Sequence, residues 1–64
     1  MKFVIGRRYW SEDNYEMIVV NRFDRTGLVR VEIGFAFPSN YKIRKDFNGF
    51  EFILAKNKIY RATY

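Results

Sequence analysis

The stretch Tyr15-Glu16-Met17-Ile18-Val19-Val20-Asn21-Arg22-Phe23, followed by Asp24-Arg25-Thr26-Gly27 and Leu28-Val29-Arg30-Val31-Glu32-Ile33, decides the fold class. Its second half alternates with a period of two, the spacing of a half-buried strand, and nothing in it repeats at three and four residues as a helix face would. Met17-Ile18-Val19-Val20 is apolar at consecutive positions, which predicts a strand from Tyr15 to Phe23 that is buried from both sides. Asp24-Arg25-Thr26-Gly27 between the two runs has turn chemistry, with Gly27 free to take a positive φ. A β-hairpin follows.

Outward from that hairpin the chain keeps to the same period. The return strand is expected to run from Leu28 to Phe37, with Val29, Val31, Ile33, Phe35 and Phe37 inward, a bulge or bend at Gly34, and an end at Pro38. Phe3-Val4-Ile5 reads as a short first strand. Ser11-Glu12-Asp13-Asn14 reads as a polar loop in which Ser11 is able to cap a helical turn. Tyr41, Ile43 and Phe47 alternate with Lys42, Arg44 and Asp46, and Asn48-Gly49 is the favoured pair for a two-residue type I′ turn. Phe50, Phe52 and Leu54 then face one way, opposite to Glu51 and Ile53. Lys56-Asn57-Lys58 turns the chain into a closing strand, Ile59-Tyr60-Arg61-Ala62. The expected fold is all-β: one domain over residues 1–64, a small antiparallel barrel of five or six strands. An SH3-like barrel fits best, with an OB-like barrel or an open meander sheet as alternatives.

Composition narrows the chemistry. The 64 residues contain no Cys and no His, so thiol nucleophiles, thiolate or imidazole metal ligands, disulfides and the usual proton shuttle are absent. That favours a non-enzymatic protein without cofactor. Glu12, Asp13 and Glu16 are the only oxygen cluster for calcium or magnesium, at a spacing that matches no calcium loop, and a carboxylate-only, metal-dependent enzyme is the distant alternative. Phe3-Val4-Ile5 is too short for the apolar core of a secretory signal, and the chain has no transmembrane run. A cytoplasmic protein of bacterial or phage origin is therefore expected.

A formal charge of +5 favours an anionic partner, with nucleic acid ahead of acidic protein surfaces. The basic residues interleave with aromatics towards the C-terminus: Tyr41-Lys42-Ile43-Arg44-Lys45, then Lys56, Lys58, Tyr60 and Arg61. Brought onto one surface, Lys42, Arg44, Lys45, Lys56, Lys58 and Arg61 would track phosphates while Tyr60 stacks on bases. Six such contacts to a duplex imply a salt slope of about −5. Solubility and protection of strand edges account for exposed Lys and Arg equally well, and Asp46 and Glu51 lie among them. A module for protein interaction or self-association is the alternative function.

Gly34-Phe35-Ala36-Phe37 resembles part of the first ribonucleoprotein motif of RNA-recognition domains and the Gly-Phe-Gly-Phe of cold-shock domains. It departs from the former at Ile33, Pro38 and Asn40, and alternation alone assigns both rings to the inward face. Across most of the chain, Gly6-x-x-Tyr9, Val19-Val20-x-Arg22, Val29-x-Val31-x-Ile33, Lys42-Ile43-Arg44 and Asn48-Gly49-x-Glu51-Phe52 occur in order. That order resembles a group of small basic β proteins of bacteria and their mobile elements. The resemblance implies a compact β fold and brings no activity with it.

Overall fold

Alternation sets the strands, and breaks in alternation set their ends. In the computed structural model, which describes all residues from Met1 to Tyr64, the chain forms β1 (Arg8–Trp10), β2 (Glu16–Phe23), β3 (Leu28–Ile33), β4 (Ser39–Lys42), β5 (Arg44–Lys45), β6 (Glu51–Ala55) and β7 (Lys58–Arg61). There is no helix, and so none long and apolar enough to cross a membrane. Strands β1 to β4 make one antiparallel sheet in chain order, and β5 to β7 make a second. The sheets meet at two edges. At one, the chain passes from β4 to β5 through Ile43. At the other, an isolated bridge joins Ser11 to Tyr60.

The core lies between the sheets. Met17 and Val19 of β2, with Val29, Val31 and Ile33 of β3, face Ile53, Ala55, Tyr60 and Ala62, and Tyr9 and Phe3 close the space. Their rings meet edge to face, 5.0 Å between centroids. Burying these side chains is the main stabilising term for a domain with no cross-links.

Strand β2 is not buried from both sides. Its pairing with β3 runs Met17 to Ile33, Ile18 to Glu32 and Val19 to Val31, then slips by one residue to pair Asn21 with Arg30 and Arg22 with Val29. The slip is a β-bulge at Val20, which stays exposed. A bulge reverses which residues face inward beyond it. Hence Arg22 enters the interior, and Phe23 turns outward beside Leu28 and under the Arg30 guanidinium.

Other expectations need correction. Phe3-Val4-Ile5 forms no strand: Phe3 alone is buried, with its N–H donating to Glu51 Oε1 at 2.8 Å, and the chain turns at Ile5-Gly6. Ser11 caps no helix; its Oγ accepts from the Tyr15 N–H across a turn in which Asn14 is left-handed. Strand β3 stops at Ile33, because Gly34 takes φ +61 and opens a turn closed by the Ala36 N–H donating to the Ile33 carbonyl. Phe35 and Phe37, expected inward, therefore stand fully in solvent, at 110% and 91% exposure.

The last two turns exchange roles. At Asn48-Gly49 the loop has three residues: Asp46 N–H donates to the Phe50 carbonyl, Gly49 N–H to the Asp46 carbonyl, and only Gly49 (φ +82) is left-handed. That is a type I turn closed by a glycine bulge, because Asp46 Oδ1 accepts from both the Asn48 and Phe50 N–H groups and holds the wider loop. The type I′ turn is the one at Lys56-Asn57, with φ +51 and +63 between the paired Ala55 and Lys58.

Candidate functional site

Strands β4 and β5 are short because the chain changes sheet between them, yet alternation persists across the junction. Tyr41 and Ile43 pack against the core, which leaves Lys42 and Arg44 outward and exposed, with exposed Lys45 next. None of the three is in an ion pair. Their position is braced by the Ile43 N–H, which donates to the Gly27 carbonyl at 2.8 Å, and by pairing of Lys42 with Leu28. That contact brings the Asp24–Gly27 turn alongside. Its exposed Arg25, also unpaired, joins the group from the other half of the sequence. Only the hairpin register could have revealed it.

The acidic residues among these cations are engaged elsewhere. Glu51, 2% exposed, holds Arg22 through both carboxylate oxygens and accepts the Phe3 N–H. Burial alone would push its carboxyl up, but Arg22 and the Phe3 N–H outweigh this and hold it below the ordinary range. Asp46 caps its own hairpin with Oδ1, and its Oδ2 lies 3.3 Å from Arg61 Nε without forming a hydrogen bond. The charge of Glu51 is thus matched by Arg22 and that of Asp46 by Arg61, and neither carboxylate forms an ion pair with Lys42, Arg44 or Lys45.

The remaining sequence-predicted residues do not all join this surface. Lys56, exposed and unpaired, sits in the β6–β7 turn, four residues beyond Phe52 and hence about 13 Å along the strand from the Arg44 row. Lys58 is committed to Asp13, with Nζ to Oδ2 at 2.8 Å, and lies 4.0 Å from the Tyr15 ring centre. The Asp13 contact raises its pKa and ties up its charge. Tyr60 cannot stack on anything outside, because it is wholly buried in the core. Its hydroxyl has no partner, and burial raises its pKa. Arg61 does belong, for the register runs Arg44 to Phe52 to Arg61 across β5, β6 and β7 on the outer face.

Two aromatic features complete the surface. Phe52 lies half-buried between those two arginines, and Phe47 stands fully exposed, at 103%, on the apex of the β5–β6 hairpin. Alternation had grouped Phe47 with inward Tyr41 and Ile43, and the three-residue loop takes it out of that pattern. Phe35 and Phe37 lie elsewhere. They follow Ile33, whereas Lys42 pairs with Leu28, so they occupy the opposite end of β3 and β4 from the cations. Next to them is a cleft of about 240 Å³ lined by Tyr15, Glu16, Ile18, Glu32, Ile33 and Gly34.

Glu12, Asp13 and Glu16 do not converge on a cation site. Asp13 turns to Lys58 and Glu16 to Arg8 at 2.9 Å, and no group of three acidic side chains is placed to hold a metal ion. The chain thus offers one cationic edge with an aromatic apex, and one aromatic loop beside a cleft with two carboxylates. No family model, no curated protein and no solved structure matches this chain.

Proposed function

We propose that the chain is a non-enzymatic module that binds nucleic acid through the β4–β5 edge. The observation that carries this reading is that Lys42, Arg44 and Lys45 are exposed and in no ion pair, while the carboxylates beside them in sequence, Asp46 and Glu51, face Arg61 and Arg22 instead. Arg25 adds a fourth free cation, and a cluster of this kind gains counterion-release energy from a phosphate chain. A salt titration of binding to a labelled oligonucleotide tests it. Four contacts give a log K against log salt slope of about −3 on a single strand, and absence of binding at low salt overturns the reading.

We read the architecture as an SH3-like barrel, supported by the continuous chain through Ile43 at one sheet edge and the Ser11–Tyr60 bridge at the other. A second functional reading, a protein-interaction surface, is favoured by Phe35 and Phe37 standing in solvent beside the cleft. Light scattering across a concentration series tests its self-association form. A stable dimer that Phe35→Ser disperses supports it, and a monomer at all concentrations removes it.

A further inference from the structure

Three features of the β5–β6–β7 sheet bear on which nucleic acid this surface takes. The first is the row Arg44, Phe52, Arg61, set by direct cross-strand pairing, which places neighbouring side chains about 5 Å apart at Cβ on one face. The second is Phe47, which lies beyond that row by about three residues of strand, or roughly 10 Å; Asp46 shares the row's face between them, while Lys45, paired with Glu51, sits exposed at the strand edge. The third is rigidity. Asp46 Oδ1 fixes the Asn48 and Phe50 N–H groups at 2.9 Å each, so the apex holds Phe47 in place before any ligand arrives.

A duplex can stack on an exposed phenyl only by opening a base step, which costs unstacking energy, since its bases are already stacked and paired. An unpaired base gains contact with such a ring whatever its identity. We infer that the ligand of this surface is single-stranded nucleic acid, with unpaired bases stacking on Phe47 and Phe52 and its phosphates held by Arg44 beside Phe52 and by Lys45 at the β5 edge. This rests on the nucleic-acid reading above and adds the strand class and the residues that select it. Phe47 determines specificity and Lys45 supplies affinity.

The experiment is fluorescence anisotropy with one labelled 12-nucleotide sequence, as single-stranded DNA, single-stranded RNA and the DNA duplex, each across a salt series. The expected result is tighter binding to both single strands than to the duplex. Phe47→Ala weakens single-strand binding by roughly 5- to 100-fold, the worth of one stacked base. It leaves duplex binding and the salt slope unchanged. Lys45→Ala weakens all three ligands and reduces the single-strand slope by about 0.7. Phe47→Trp retains single-strand affinity, and its emission is quenched on binding. Phe35→Ala, at the far end of the molecule, changes none of these values.

If the protein binds all three ligands alike and Phe47→Ala alters nothing, the inference fails while the nucleic-acid reading stands. If no ligand binds at low salt, the reading itself fails. Because Phe47 lies wholly in solvent, the alanine variant keeps the core intact, and circular dichroism confirms that a lost affinity is not a lost fold.

Discussion

Arg22 of β2 and Glu51 of β6 clamp the two sheets together through a two-pronged ion pair, Nη1 to Oε1 at 2.5 Å and Nη2 to Oε2 at 2.6 Å. The same guanidinium donates to the Phe3 carbonyl, and the same carboxylate accepts the Phe3 N–H, so the N-terminal segment is locked in with the sheets. The bulge at Val20 is what makes this possible, since without it Arg22 would face solvent.

Arg22→Met leaves the buried Glu51 carboxylate with only a backbone donor, and urea unfolding at pH 7 should show a loss of about 3–5 kcal/mol. The wild-type pair also predicts acid lability. Glu51 has its folded pKa depressed below the ordinary 4.5, so its contribution is fully present above that value and is lost as pH falls through the depressed one. In Glu51→Gln that part of the acid limb disappears. An unchanged limb would mean that other carboxylates govern acid unfolding.

Tyr60 brings a hydroxyl into the core and gives it no partner. Tyr60→Phe keeps the ring and removes the stranded group, so the variant should be more stable by about 1 kcal/mol in denaturant. Burial raises the phenol's folded pKa above 10.0, so its contribution holds below that value and is lost as pH rises through the raised one. The phenylalanine variant lacks this alkaline component. A destabilised variant would show that the hydroxyl has a hydrogen-bond partner after all.

Lys56 occupies the first position of a type I′ turn at φ +51, a conformation that costs a residue with a full side chain roughly 1 kcal/mol and suits Asn. Lys56→Asn should raise the melting temperature by about 4–8 °C. Since Lys56 lies far from the Arg44 row, the same variant should weaken oligonucleotide binding much less than Lys45→Ala. Equal losses would place the binding surface at the β6–β7 turn instead.

Where period and turn chemistry agree, the chain is readable from its residues, as in the hairpin that turns at Asp24–Gly27 and the inward pair Tyr41 and Ile43, although the hairpin's return strand ends at Ile33 rather than Phe37. Several of the misreadings follow from one-residue irregularities. The run Ile18-Val19-Val20 looks doubly buried because a bulge needs an extra apolar residue at the crossover, and pattern alone cannot separate the two. Gly34 and the three-residue loop after Asp46 each carry a ring out of the inward series, which exposes Phe35, Phe37 and Phe47. The candidate site was legible where it is local, at Lys42, Arg44 and Lys45. Arg25 and the Arg44–Phe52–Arg61 row depend on register between distant strands, and Lys58 drops out because Asp13, 45 residues away, reaches it.

Asp46 offers a test that separates charge from shape. Its Oδ1 organises the hairpin and its Oδ2 lies near Arg61 without a true hydrogen bond. Asp46→Asn keeps an oxygen for the Asn48 and Phe50 N–H groups while removing the negative charge, so the formal charge goes from +5 to +6. A partly exposed pair of this kind contributes at most about 1 kcal/mol, so the fold should persist with little change. Freed from its counter-charge, Arg61 completes the row with Arg44 and Phe52 as a phosphate contact. Single-strand binding should tighten and its salt slope steepen by about 0.7. Phe47→Ala in the same background should lose as much affinity as it does in the wild type, because the apex geometry is preserved. If Asp46→Asn tightens nothing, Arg61 is not part of the surface, and the ligand is held by Arg25, Lys42, Arg44 and Lys45.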